Sequence, residues 1–563
     1  MKVIIVGGVA GGASAAARIR RLDENAEILV FERSGYVSYA NCGLPYYIGG
    51  VITDAENLTL QTPESFYHRF RIQVKVRHEV TAIHPENKTV TVKNLNTGEE
   101  FEETYDKLLL SPGAKPTRPK LSGVDGERIF SLRTVEDTLH IRKFVEEHQP
   151  KTAVVAGGGF IGLEMAENLQ ELGVKVTILQ RPKQVLPPLD MDMASQLHGL
   201  LRSKGITLKL GSSVAGFQNE GDTVVTFLEN EKPLRSDMVL LAIGVTPETR
   251  LAREAGLELG IKGSIVVNDR METSAPDIYA VGDAVEVKHL VTGNKAVIAL
   301  AGPANKQGRI AGNNICGGNS MYKGSQGSSV IKLFELTAAS TGINEKTARD
   351  AGIEYDKVVL SPVSHASYYP GGKAMTMKVI FEKKSLKLLG AQIVGYEGVD
   401  KRIDVLATAI FAGLTGTDLK DLDLAYAPPY SSAKDPVNMA GFMIENLTEG
   451  RVKQFHWDQV ESLPRDGSVT LMDTRTPGEY SRGHAEGFIN IPVDDLRERM
   501  GELEKGKPVY VMCQSGLRSY IASRILSQHG FEVYNFSGGY RFYKMVTEDQ
   551  LVKASSYPCG LEK

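Results

Sequence analysis

Lys2-Val-Ile-Ile-Val-Gly-Gly-Val-Ala-Gly-Gly12 stands near the start of the chain, and Thr152-Ala-Val-Val-Ala-Gly-Gly-Gly-Phe-Ile-Gly162 repeats its plan further along. In each, an apolar run stops at a glycine cluster. A helix-like pattern follows, Ala13–Leu22 in the first and Leu163–Leu172 in the second, and then a second strand, Glu27–Glu32 and Lys175–Gln180. Strand, tight turn, helix and strand within about thirty residues make a dinucleotide-binding βαβ unit. Glycine is required there because the backbone bends sharply and its amides must approach a pyrophosphate at a helix N-terminus. The second turn satisfies G-x-G-x-x-G at Gly157, Gly159 and Gly162, whereas the first has Gly7 and Gly12 but Val9 at the middle position. Two units imply two dinucleotide sites, and a hydride relay needs two carriers.

The ends of the second strands refine this. Glu32 is placed to accept hydrogen bonds from an adenosine ribose. Gln180 occupies the matching position as a neutral side chain followed by Arg181, which leaves NADH and NADPH both open. Farther on, Asp277-Ile-Tyr-Ala-Val-Gly-Asp-Ala284 is a short apolar strand that delivers Asp283 at its C-terminal end, and a helix-like segment runs over Ala301–Asn314. Composition sets the outer bounds. The 563 residues correspond to roughly four domains at about 150 residues each. With 65 Lys+Arg against 68 Asp+Glu, the chain gives no electrostatic case for nucleic acid or an anionic membrane as partner. No run of 18 apolar residues predicts a membrane span. Lys2 and Val3–Ala17 have the outline of a secretory signal, but Gly7, Gly8, Gly11 and Gly12 would break its helix. Cys42, Cys316, Cys513 and Cys559 are too scattered for a disulfide framework or a metal site, so no metal is expected and a cytoplasmic setting fits best.

Taken in order, Gly7–Gly12, Ser111-Pro-Gly-Ala114, Gly157–Gly162 and Tyr279–Ala284 resemble the two-dinucleotide-fold flavoprotein disulfide reductases over about residues 1–445. The resemblance implies FAD on the first unit and NADH or NADPH on the second. It gives a cofactor set of Gly7, Gly12, Glu32, Ser111, Gly113, Gly157, Gly159, Gly162, Gln180, Gly244, Gly282 and Asp283, the last beside the FAD ribityl and phosphates. Most dithiol members carry a CxxxxC pair. Here Ser38-Tyr-Ala-Asn-Cys-Gly-Leu-Pro-Tyr46 has Cys42 alone. A single redox thiol must pass through a sulfenate, a persulfide or a mixed disulfide.

That SxxxxNCGxxY pattern resembles the single-cysteine branch of coenzyme A disulfide reductases, persulfide reductases, NADH oxidases and NADH peroxidases. The oxidases and peroxidases usually carry a His in the first glycine turn. Ala10 stands there instead, so an oxidase or peroxidase working through a Cys42 sulfenate is the alternative reading. His365–Pro370 and Leu424–Tyr430 resemble the branch's dimer-domain motifs and imply a homodimer. Tyr368 and Tyr426 would then hydrogen-bond a leaving thiolate across the interface, with Tyr369 and Tyr430 close enough in sequence to be the right choice instead. By the same resemblance, Ser14, Arg18, Arg21, Ser38, Asn41, Asn305 and Lys434 hold coenzyme A.

The chain after Gly441 reads as a linker followed by a fresh α/β segment. Leu471-Met-Asp-Thr-Arg475, Glu479-Tyr480, Gly483-His484, Asn490-Ile-Pro492 and Cys513-Gln-Ser-Gly-Leu-Arg518 resemble a rhodanese (sulfurtransferase) domain. Cys513 ends a strand and opens a loop into the helix-like Ser519–Gln528. Loop amides, the helix N-terminus and Arg518 all favour a thiolate and then a persulfide. Asp473, Arg475 and His484 read as loop-fixing residues, and Cys316 and Cys559 have no assigned role. An inert module that docks a partner is the contrasting reading. The expected architecture is α/β throughout: Rossmann-like FAD-binding (1–150 and 271–325) and NAD(P)H-binding (151–270) domains, an α+β dimerisation domain (326–445), a linker (446–452), an α/β rhodanese domain (453–550) and a tail (551–563). The expected substrate is coenzyme A disulfide, coenzyme A persulfide or polysulfide, with the choice among them open.

Overall fold

The computed structural model describes residues 1–554; Cys559 and most of the expected tail lie outside them. The described chain divides into two compact units, Met1–Lys183 with Gly205–Gly327, and Gln184–Lys204 with Ser328 onward.

The first unit holds two parallel five-stranded sheets. One runs in the order Ile278–Ala280, Lys107–Leu110, Lys2–Val6, Glu27–Glu32, Gln73–Val76. The other runs Thr207–Leu210, Lys175–Gln180, Thr152–Ala156, Met238–Leu241, Ile129–Ser131. Their central strands are buried along nearly their whole length, as the unbroken apolar runs require of a parallel sheet covered on both faces. Ile129–Ser131 falls inside the stretch 1–150 read as the FAD-binding domain, yet it is an edge strand of the second sheet. The run Val74–Val80 reads as one strand in sequence but splits in two. Arg77 sits at φ 55°, and the chain turns there from the parallel sheet into an antiparallel three-stranded one over His78–His84, Thr89–Asn94 and Glu100–Thr104.

The second unit contains an antiparallel sheet, in the order Ser329–Leu333, Leu336–Gly342, Leu388–Gly395, Met375–Glu382, Tyr355–Leu360, with the helix Val399–Ala412 packed on it. It also contains a parallel sheet, Lys453–Phe455, Val533–Phe536, Val509–Met512, Thr470–Asp473, Ile489–Asn490. Gln184–Lys204 lies within the range 151–270 read as one nucleotide-binding domain, but its contacts place it in this unit. Lys378, fully buried, explains the attachment. Its Nζ lies 2.6 Å from Asp192, 2.6 Å from Glu345 and 3.2 Å from Asp190. Three carboxylates converge as they would on a cation, and the ammonium of Lys378 is that cation. The helix Pro436–Thr448 continues three residues into the stretch read as a linker, and Gly539–Ala554 continues into the stretch read as a tail.

Candidate active site

Both glycine turns are built by contact at the same two places. A Cβ on Gly12 would fall 1.9 Å from the Gly7 carbonyl oxygen, and one on Gly162 would fall 1.9 Å from that of Gly157. Gly7 and Gly157 lie at φ +95° and +119°, where a side chain is strained. Gly159 differs, since its φ is −84° and a Cβ there meets nothing within 4 Å. The helices begin earlier than their patterns predict, at Ala10 and Phe160, so that Gly11, Gly12 and Gly162 lie in the first turns. Neither helix has a side-chain cap at its N-terminus, unlike Pro63–Phe70 and Val135–His148, which Thr62 and Thr134 cap. The open amides at both turns fit a pyrophosphate.

Glu32 and Gln180 take equivalent places. Oε2 of Glu32 accepts the Gly8 amide at 2.9 Å and Oε1 accepts that of Ser34; Oε1 of Gln180 accepts the Gly158 amide at 2.9 Å. Each side chain therefore clamps the glycine turn of its own unit. Gly7, Glu32, Ser111, Gly113 and Asn41 line one cleft, so Asn41, expected at the substrate, stands beside the cofactor set. Asp283 is 2.7 Å from Arg133, a partner that carries no motif, and the Gly282 amide donates to Gln307 at 2.7 Å. Gly113, Gly244 and Gly282 all have positive φ, at +70°, +116° and +83°. Of the expected coenzyme A contacts, Ser14 donates to Asn305, and Arg18 donates to Asn313 at 3.0 Å. Arg21 is exposed, while its neighbour Arg20 is buried and donates to five backbone carbonyls as a structural tie.

The Cys42 loop starts at Ser38, which adopts φ 49° while its amide donates to the Gly8 carbonyl. Asn41–Gly43 form one 3-10 turn, and the short helix Leu44–Ile48 then packs on Phe160–Glu171, the helix of the second glycine turn. Cys42 is open to solvent on one side, but the protein behind it raises its thiol pKa, and the carboxylate of Glu164 raises it further; Arg133 acts the other way. Glu164 is itself pushed up to about 7, first by burial and then by Glu167, while its hydrogen bond with Tyr46 opposes the shift. Sequence reasoning missed Glu164, which follows the glycine motif by two positions and meets Cys42 only through the fold. Replacing Glu164 by Gln removes a negative charge near the thiol. The midpoint of the pH profile for alkylation of Cys42 by iodoacetamide then falls by about one unit. An unchanged profile would show that the carboxylate does not act on the thiol.

In the second unit the phenols of Tyr368 and Tyr426 are hydrogen-bonded to each other, and this contact raises the Tyr426 pKa. Tyr369 instead packs edge-on against His365. Lys434 belongs to this unit and lines a cavity beside the Cys513 loop. Cys513 is buried, and its Sγ accepts the Gly516 amide at 3.1 Å; Gly516, at φ +103°, opens the helix Leu517–Gln528. Arg518 has a partner that the sequence reading did not supply. Its guanidinium is held by both oxygens of Glu479, at 2.7 Å each, which offsets its charge in part, while it still interacts electrostatically with Cys513. Asp473 and Arg475 pair with each other at 2.7 Å, and His484 stacks on Tyr480 at 3.8 Å.

Two parallel dinucleotide-type sheets, with a lone cysteine on a loop tied to the first glycine turn and to the helix of the second, define the class as a pyridine-nucleotide oxidoreductase, followed here by a further parallel α/β sheet that bears Cys513. The chain belongs to the pyridine nucleotide-disulphide oxidoreductase family, which its residues 1–308 match; residues 328–436 match that family's dimerisation domain and 456–545 a rhodanese-like domain. Its cofactors are accordingly FAD and NADH or NADPH. It is 39% identical over 447 residues to a coenzyme A disulfide reductase of Staphylococcus haemolyticus, covering 79% of this chain and all of that protein. The crystal structure of reduced Bacillus anthracis CoADR-RHD superposes with TM-score 0.95 at 47% identity, covering 97% of this chain and 98% of that one. A NAD-dependent persulfide reductase from A. fulgidus gives TM-score 0.91 at 39% identity, covering 96% of this chain and all of that one. No helix among the described residues is long and apolar enough to cross a membrane.

Proposed function

We propose that this protein is an FAD-dependent NAD(P)H oxidoreductase that reduces coenzyme A disulfide or coenzyme A persulfide through Cys42, with Cys513 handling sulfane sulfur. The observation that carries it is the position of Cys42. The thiol heads a short helix that packs directly on the helix of the second glycine turn, in the same unit as the first turn. Bound FAD supplies the means to take a hydride from NAD(P)H and pass two electrons to sulfur. The chain's residues do the rest. Glu32 and the open amides after Gly7 hold the flavin nucleotide; Gln180 and the turn at Gly157–Gly162 hold the nicotinamide nucleotide.

Cys42 thiolate attacks one sulfur of the substrate's S–S bond, forming Cys42–S–S–CoA and releasing coenzyme A thiolate from the disulfide or HS⁻ from the persulfide. Two electrons then cleave the new bond, and a proton restores coenzyme A. In sum, one S–S bond and one NAD(P)H are consumed, giving two thiols, or one thiol and hydrogen sulfide. Glu164, poised near 7, suits proton exchange next to the thiol. We assign Ser14, Arg18, Arg21, Ser38, Asn41, Asn305 and Lys434 to the coenzyme A contacts. The Tyr368–Tyr426 pair, acting across a homodimer, donates a hydrogen bond to the leaving sulfur. Carrying Cys513 on the same chain keeps sulfur donor and reductase in one molecule.

The test is anaerobic NAD(P)H oxidation by the purified protein, with coenzyme A disulfide and coenzyme A persulfide compared and sulfide assayed. Turnover on either substrate is expected, with one sulfide per NAD(P)H on the persulfide. No turnover on either, with rapid NADH consumption by oxygen or peroxide, would replace this reading by the sulfenate oxidase.

A further inference from the structure

The Cys513 loop borders a cavity that shares only Lys434 with the contacts assigned above. Ser515, Gly516 and Leu517, the crest of the loop, line one wall of a space of about 490 Å³ within the second unit. Tyr520, on the next turn of the helix, extends that wall. Met439, Phe442, Met443 and Leu447, all from the helix Pro436–Thr448, supply another. Among the described residues that line the cavity, Lys434 is the single charged side chain, and it is exposed. Leu517 leaves an apolar side chain 58% exposed next to the loop.

The loop adds no net cation to this setting. Arg518 is bound by both oxygens of Glu479, and that contact pulls the Glu479 carboxyl down to about 2, so the pair stays ionised and neutral in sum. Arg475 is likewise committed to Asp473. The Gly516 amide already serves Cys513 Sγ. A small dianion such as thiosulfate would shed its hydration in a mainly apolar space, where exposed Lys434 is the one cation on the wall and no unpaired guanidinium stands at the thiol. An uncharged body gains from the same walls.

We propose that Cys513 is loaded from an uncharged organic polysulfane, of the dialkyl trisulfide class, bound against the helix Pro436–Thr448, and not from a small inorganic dianion. This rests on the sulfur-transfer reading of Cys513 and adds the class of donor. Cys513 thiolate attacks the central sulfur of R–S–S–S–R. The Sγ–S bond forms, one S–S bond breaks, and RS⁻ leaves and takes a proton from water. Coenzyme A thiolate then attacks the sulfur bearing R in Cys513–S–S–S–R. The persulfide Cys513–S–S⁻ remains, and the mixed disulfide CoA–S–S–R departs. No oxidant or reductant enters beyond the polysulfane and the thiol. The by-product is a coenzyme A mixed disulfide, the bond type that the Cys42 site reduces, so the two halves of the chain close a cycle on coenzyme A.

The test uses the full-length flavoprotein carrying Cys42→Ser, which cannot consume the products. It is mixed with dimethyl trisulfide or thiosulfate at equal concentration, and sulfur gained on the Cys513 peptide is followed by mass spectrometry. Loading is expected to be about tenfold faster or more with the trisulfide. Met443→Glu, which sets a carboxylate in the half-buried apolar wall, is expected to slow trisulfide loading about fivefold. Thiosulfate loading as fast or faster would overturn the donor class while leaving Cys513 a sulfur carrier. A Met443→Glu rate equal to the parent's would show that the cavity is not used and would overturn the proposal as well. Loading by neither donor would overturn both the proposal and the sulfur-transfer reading.

Discussion

Replacing Cys42 by Ser lowers NAD(P)H-dependent reduction of coenzyme A disulfide by a factor of about 10⁴ or more, while the protein keeps its flavin. The size follows from the chemistry, because no second thiol of a CxxxxC pair is present to take over the attack and a hydroxyl does not form the mixed disulfide. Retention of flavin follows from the local structure. The loop is held by its backbone, with Gly43 N–H donating to Ala40 at 2.8 Å and Ala40 N–H to Leu58 at 2.7 Å. The Glu32–Gly8 clamp, which we assign to the flavin nucleotide, lies on other elements. The check is the visible flavin spectrum alongside anaerobic turnover. A variant that binds flavin and still turns over would remove Cys42 from the reaction and with it the mixed-disulfide route.

The second large effect is on stability. Lys378→Met leaves Asp190, Asp192 and Glu345 facing one another without the ammonium they share, and breaking a buried ion cluster in this way costs about 3–5 kcal/mol. Lys357, 2.7 Å from Glu345, and the Trp457 Nε1–H, 3.1 Å from Asp192, soften the loss without removing it. The effect has a pH signature. In the parent, Lys378 and Lys357 outweigh burial and hold the Glu345 carboxyl well below its usual range. That group adds stability above its unfolded pKa and loses it as pH falls through the depressed folded value. In the variant, burial and mutual repulsion push the carboxyls up, so the folded state binds protons that the unfolded chain does not. The variant's deficit therefore narrows as pH falls from 8 to 5. Thermal unfolding of both proteins at the two pH values checks this, and a deficit under 1 kcal/mol at pH 8, or one that widens toward pH 5, would contradict the reading.

What the sequence carried about this molecule was what is local. Glu32 and Gln180 were found by spacing alone, because a βαβ unit fixes the distance from its glycine turn to the end of its second strand. The Cys513 loop was legible for the same reason, with strand, loop and helix contiguous. Arg133 and Glu164 were not, nor was the pairing of Glu479 with Arg518, since each meets its partner only after distant segments fold together. Ile129–Ser131 and Gln184–Lys204 were assigned by neighbourhood along the chain, whereas strand pairing and the Lys378 cluster decide where they pack. The helices start three residues before their apolar patterns, because Gly12 and Gly162 belong to the first turns, where each lies against the carbonyl of its own glycine turn.

The glycines of the second turn divide their labour in a way that would show in a population of cells. Any side chain at position 162 collides with the backbone of the turn itself, so such an allele is lost as misfolded chain and leaves little protein behind. Position 159 has ordinary backbone angles and open space around it, so a methyl group there is no obstacle to folding. Its product accumulates at normal abundance, and such copies persist where position-162 alleles disappear.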